Sequence, residues 1–227
     1  MSLAITEWSI KAVLFDLDGT LVDTAPDLAA ALNAVLRSHQ KAELPYLEIR
    51  PVVSNGADAL IRLAFGEALT TEKQLTLKTE LVEHYQQHIA EHSTLFAGLA
   101  DALEHLESKQ IPWGIVTNKP EYLTLPLLKQ MGLYERAGCI VCGDQVTNPK
   151  PHPESIYWAC QQLSVTPEHS IYIGDAKRDI QAGRLAGLKT IACKFGYVPS
   201  SADINTWQAD YIIDCSIRLS NELQSLN

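Results

Sequence analysis

From Gly98 onward, short apolar runs and helical stretches alternate five times. LADALEHLESK reads as an amphipathic helix, and IPWGIVTNK as a strand ending in polar residues. YLTLPLLKQMG reads as a helix closed by Gly132, GCIVCGD as a strand, and PESIYWACQQLS as a helix. SIYIGDAKRD, IQAGRLAG and TIACKFG continue the alternation, and DYIID closes it as a last short strand. This order predicts a parallel sheet with helices on both faces, an α/β, Rossmann-like core.

A further apolar strand, AVLF, stands at residues 12–15. Between it and the alternating region no strand pattern occurs. DLAAALNAVLR reads as a helix with Pro26 placed well at its start. Residues 48–66 give a second helical stretch, and residues 71–92 a long polar third. The expectation is a core of residues 1–22 and 94–227, interrupted by an α-helical cap of residues 23–93.

Three strands end in polar or acidic residues: Asp16, Thr117 and Asp175. Doubly wound sheets bind ligands at the carboxyl edges of their strands, so these sequence-distant groups should converge in one crevice. Asp16 and Asp18, one residue apart after a buried strand, make a rigid anionic cup. Such a cup can hold a divalent metal, offer a carboxylate nucleophile and use its neighbour for proton transfer. An Asp-rich turn is the plainer reading, because Asp-Gly is common at strand ends.

Composition narrows the partners. The 227 residues are 46% hydrophobic and 20% charged, which suits a globular protein of one or two domains. A net charge of -9 and a pI of about 5.2 argue against a nucleic-acid partner. No apolar run approaches the roughly 18 residues that a membrane span needs. The N-terminus shows no basic segment followed by an apolar one, so no secretion signal is expected. Met1-Ser2-Leu3 carries no structural signal. Five cysteines suit a reducing cytoplasm. Cys139 and Cys142 form a CxxC, but within a strand-like run and with no second CxxC to complete a zinc site.

The full string AVLFDLDGT resembles the nucleophile motif of the haloacid dehalogenase superfamily, whose phosphatases carry DxDGT after a hydrophobic strand. LVDTAPD, residues 21–27, resembles the phosphoglycolate phosphatase branch. SNGADALIRLAFG, HSTLFAGLADALEHLE, WGIVTNKP and TWQADYIID look closer to the bacterial N-acetylmuramic acid 6-phosphate phosphatases, which act in cell-wall sugar recycling. IVTNK, NPKPHPE and IYIGDAKRD resemble the second, third and fourth superfamily motifs.

The resemblance implies Mg2+-dependent hydrolysis of a small phosphate monoester, 2-phosphoglycolate or N-acetylmuramic acid 6-phosphate. Asp16 would attack phosphorus, and Asp18 would act as acid then base. Thr117 and Asn118 would bind the phosphoryl group, and Lys150 would neutralise its charge and restrain Asp16. Asp16, Asp175 and the backbone carbonyl of Asp18 would hold the metal. Asp179 would orient Lys150, reach the metal through water, or simply favour a helix N-terminus. Ser54, Asn55 and Gly56 are candidate cap contacts to the leaving group, with Arg62 a weaker one. A phosphomutase, another sugar-phosphate phosphatase, a dehalogenase or a catalytically silent binding module of the same fold are the alternatives. None of the motif carboxylates is missing, as a silent module would lead one to expect.

His84, His88 and His92 are spaced to share one face of the third helix. With no acidic partner in view, a solvated or interfacial face is the expectation. His152, Lys177 and Arg178 receive no role, and the residues carry no signal for oligomeric state.

Overall fold

The computed structural model describes Ile5, residues 8–200 and residues 202–227; Met1-Ser2-Leu3 lies outside them. β1 (Ala12–Phe15) leads through a short loop into β2 (Val22–Asp23). Helices α1 (Ala25–Ser38), α2 (Tyr46–Ile49), α3 (Gly56–Phe65) and α4 (Thr71–Gln87) follow. β3 (Thr94–Leu95) then returns the chain and pairs antiparallel with β2. The remainder runs α5 (Leu99–Ser108), β4 (Trp113–Val116), α6 (Glu121–Gln130), β5 (Cys139–Val141) and α7 (Glu154–Gln162). β6 (Ser170–Gly174), α8 (Lys177–Ala186), β7 (Lys189–Cys193), β8 (Tyr211–Ile213) and α9 (Ser216–Leu223) complete it.

Six strands form one sheet in the order β5-β4-β1-β6-β7-β8, every neighbouring pair parallel. The expected α/β, Rossmann-like sheet is present. All four residues of β1 are buried, as are those of β4 and β6. That is why these strands read as unbroken apolar runs rather than alternating ones. Phe15 meets Trp113 edge-on at 6.5 Å between ring centroids, on one face of the sheet centre. The chain leaves β1 for β4 and β5 on one side, then fills β6, β7 and β8 on the other. β1 therefore stands at the topological switch point, where such sheets open a ligand crevice.

The helical stretch read over residues 48–66 is broken. α2 ends at Ile49, a 3-10 turn covers Arg50–Asn55, and α3 begins at Gly56. Pro51 supplies no backbone N–H in that turn, and Gly56 has a left-handed φ of 80°, so neither continues an α-helix. The third helix ends at Gln87, short of the expected His92. Asp27 accepts the backbone N–H groups of His92 and Ser93 at 2.8 and 2.9 Å, tying the returning chain to α1 instead. The three-histidine stripe therefore dissolves: His84 and His88 stack at 4.6 Å, His88 pairs with Glu91, and His92 lies off the helix.

The five cysteines are free thiols, and all but Cys215 are buried. Burial pushes Cys139 and Cys142 up to about 12 and about 11, which leaves them unreactive near neutrality. No helix among the described residues is long and apolar enough to cross a membrane.

Candidate active site

The register of the sheet assembles the site. Phe15 pairs with Ile115 and Ile173, so Asp16, Thr117 and Asp175 leave neighbouring strands at nearly one level. Asp16 and Thr117 are still anchored by ladder bonds: Asp16 N–H donates to Ile173 at 2.8 Å, and Thr117 N–H to Val141 at 2.9 Å. All three residues are buried.

One oxygen from each of Asp16, Asp175 and Asp179 lies within 4.8 Å of the others. Asp179 is thus a member of the cluster, while the Asp18 side chain turns elsewhere. Lys150 sits among them. Its ammonium lies 2.8 Å from Asp16 Oδ1 and 2.8 Å from Asp179 Oδ1, and it also donates to the Val116 carbonyl and the Tyr172 hydroxyl. Asp179 also accepts the Ala176 N–H at the start of α8 at 2.9 Å, so its contact with Lys150 and its place at a helix N-terminus coexist. Burial would strip the Lys150 charge, but Asp16 and Asp179 outweigh it and hold the lysine above its ordinary range.

The carboxylates are under electrostatic load. Burial, then repulsion from Asp16 and Asp179, lifts Asp175 to about 8. Burial and Asp179 lift Asp16 to about 6 against the pull of Lys150 and Arg178. Three crowded carboxylates face two cations, a surplus that a bound divalent cation removes. Asp175 Oδ1 is buried without a hydrogen-bond partner, whereas its Oδ2 accepts from Ser54 Oγ and the Tyr197 N–H. An orphaned carboxylate oxygen in an all-oxygen cluster fits a hard cation such as Mg2+.

Backbone makes room for this cluster. Gly19 has a φ of 87°, and a β-carbon there would overlap Asp175 and Tyr197. A β-carbon on Gly196 would overlap Asp175 from the other direction.

Asp18 accepts a hydrogen bond from Thr24 at 2.5 Å and pairs with Lys119 at 3.0 Å. It faces a cleft of about 650 Å³ that also exposes Asp16, Thr117, Ser54, Asn55 and Gly56. The candidate cap contacts do line the cleft. Arg62 does not; it pairs with Glu67 at 3.7 Å. Asn118 lines the cleft as well, but its side chain is engaged elsewhere. The amide exchanges two hydrogen bonds with the Lys150 backbone, at 2.9 and 3.1 Å, and so positions the lysine rather than offering itself to phosphate.

Sequence reasoning passed over Lys119, Tyr85 and Arg178. Lys119 was in view as the last residue of IVTNK. Its ammonium lies 4.5 Å from the Tyr85 ring centroid. Tyr85 follows Leu77 and Leu81 at helical spacing on the buried face of α4. Arg178 crosses to the helical block, donating to the Ser54 carbonyl at 2.7 Å. Arg50 makes the reverse crossing, donating to the Phe195 and Gly196 carbonyls at 3.0 and 2.6 Å.

Residues 13–193 match the family model described as haloacid dehalogenase-like hydrolase. The chain is 39% identical over 216 residues to the N-acetylmuramic acid 6-phosphate phosphatase of Pseudomonas putida, covering 95% of this chain and 97% of that one. It is 38% identical over 204 residues to the phosphoglycolate phosphatase of Xanthomonas campestris, covering 90% and 92%. Among solved structures, a predicted phosphoglycolate phosphatase from Haemophilus somnus superposes with a TM-score of 0.82 at 27% identity, covering 94% and 97%.

Proposed function

The chain belongs to the haloacid dehalogenase-like hydrolases and is a phosphoric monoester hydrolase, and on that premise we propose how this site works and on what. The reaction is in-line transfer of a phosphoryl group to Asp16, followed by hydrolysis of the aspartyl-phosphate. The observation that carries this reading is the hold of Lys150 on Asp16 Oδ1 at 2.8 Å within the carboxylate cluster. With Oδ1 restrained, attack falls to Oδ2, at the carboxyl edge of β1. Dividing one displacement into two easier ones is the gain of the covalent route.

Asp18 protonates the departing alkoxide and then takes a proton from the hydrolytic water. Its place in the cleft, steadied by Thr24 and Lys119, supports that role. The Thr117 hydroxyl donates to the phosphoryl oxygens as charge develops, and the Lys150 charge held behind Asp16 favours that charge electrostatically. Asp16, Asp175 and Asp179, with the backbone carbonyl of Asp18, would hold Mg2+, which when bound neutralises charge on those oxygens.

Residues 23–93 serve as the cap over a core of residues 1–22 and 94–227. The substrate is a small phosphorylated metabolite. A cleft of about 650 Å³ has room well beyond a two-carbon acid. N-acetylmuramic acid 6-phosphate is therefore favoured over 2-phosphoglycolate. Reduced, mostly buried thiols accord with a cytoplasmic setting.

A steady-state screen of N-acetylmuramic acid 6-phosphate, 2-phosphoglycolate and hexose phosphates tests the assignment. The highest specificity constant should fall on the first. A preference for phosphoglycolate of more than about tenfold would reverse the choice of substrate, and turnover without a trappable aspartyl-phosphate would remove the covalent step.

A further inference from the structure

The cleft contains polar groups whose hydrogen-bonding capacity phosphoryl transfer does not exhaust. Lys119, from the loop after β4, and Tyr85, from α4, meet in its wall with the ammonium 4.5 Å from the ring centroid. The Lys119 side chain is 8% exposed and Tyr85 1%. The Tyr85 hydroxyl is buried, with no hydrogen-bond partner apart from the Lys119 ammonium beside it. An ammonium only donates, so the Tyr85 hydroxyl proton still lacks an acceptor, and one brought by a ligand relieves it. An ammonium has three donors, of which Asp18 accepts one.

The same cleft is lined in part by apolar side chains, among them Leu28, Val53, Leu60, Leu81 and Leu123. A cation beside a phenol, with carbon surfaces about them, suits a compact acceptor with two oxygens. The charge of that acceptor is bounded as well. Lys119 already faces Asp18 and their charges cancel, so a monoanion adds one uncompensated negative charge where a second phosphate would add about two.

We propose that Lys119 and Tyr85 form the subsite that reads the carboxylate which the leaving groups of both candidate substrates carry. The inference rests on the phosphatase reading above and adds a specificity determinant to it.

Matched pairs of substrates isolate the carboxylate. N-acetylmuramic acid 6-phosphate and N-acetylglucosamine 6-phosphate share the same primary leaving oxygen but differ in the lactyl acid. 2-Phosphoglycolate and ethyl phosphate make a smaller pair. The wild-type protein should prefer the acid member in kcat/KM by about 10- to 100-fold, the range for a hydrogen bond to a charged group. Most of the difference should lie in KM. Lys119→Met should compress the ratio to within about threefold, while Lys119→Arg should keep much of it. Tyr85→Phe, which keeps the ring and its packing, should lower the ratio by a few-fold and provides the test if the lysine variant does not fold.

Equal losses on both members of each pair would overturn the proposal, since Lys119 would then act only through Asp18. A wild-type protein with no preference for the acids would do the same. Failure to turn over any of the four compounds would instead sink the phosphatase reading itself, and the subsite with it.

Discussion

Ser54 Oγ donates to Asp175 Oδ2 across 3.1 Å, joining the helical block directly to the carboxylate cluster. Ser54 is the penultimate residue of the 3-10 turn before α3, and Asp175 follows β6. Arg178 reinforces the junction by donating to the Ser54 carbonyl. The position of the block over the sheet edge and the aim of a candidate metal ligand are therefore linked through one side chain.

Ser54→Ala should disturb catalysis more than folding. A neutral hydrogen bond of this kind contributes about 0.5–1.5 kcal/mol, so kcat/KM should fall a few-fold to about tenfold. The melting temperature should move little. A variant with wild-type kinetics would mean that the bond does not help aim Asp175.

Asp16→Asn should abolish turnover, with a loss of at least about 10³-fold, as for removal of an enzymatic nucleophile. Intact-mass measurement on quenched turnover should show a phosphate adduct on the wild type and none on the variant. Activity within tenfold of wild type would exclude Asp16 as the nucleophile.

Mg2+ should raise the melting temperature of metal-free protein and restore activity after EDTA treatment. Asp175→Asn should blunt both responses. Ca2+ should also stabilise the fold yet restore little turnover, because its looser coordination misplaces the reacting groups. Thermal shift and turnover measured side by side separate binding from chemistry, and full activity in Ca2+ alone would count against a tight octahedral site.

Asp18→Asn should slow both chemical steps, since general acid-base catalysis contributes roughly 10²–10⁴-fold. The first step should suffer less with nitrophenyl phosphate, whose leaving group needs little protonation. Single-turnover phosphorylation read on nitrophenyl and alkyl substrates shows the difference. Equal losses on the two would remove Asp18 from the acid role.

The His84 imidazole should titrate below its ordinary 6.5, because burial and then the charges of His88 and Arg37 disfavour its protonated form. Such a group contributes stability above pH 6.5 that is lost as pH falls through the depressed folded value. NMR titration of the ring should show the lowered midpoint, and His88→Gln should raise it part of the way back. A midpoint at or above 6.5 would contradict the packing of these rings.

The strand-end residues were readable because they follow from local pattern. Asp16, Thr117 and Asp175 each terminate an apolar run, and parallel topology does the rest. Pro51 was equally visible as a break in the second helical stretch, but the apolar spacing on either side of it masked the 3-10 turn. The hold of Asp27 on residues 92 and 93 was not readable, since it spans more than sixty positions. Lys119 meeting Tyr85, Asn118 holding Lys150, and Ser54 meeting Asp175 are also long-range pairings. Periodicity reports which face of an element is buried, not which residue of another element arrives there.

Gly19 and Gly196 have no side chain that could bind, donate or react, yet both press against Asp175 with nothing larger than hydrogen. Alanine scanning ordinarily finds active-site residues by deleting function. At these two positions alanine would instead add a methyl group to a site that has no space for one. Inactive variants at 19 and 196 would thus map the outer boundary of the site, marking where its interior ends rather than what its interior does.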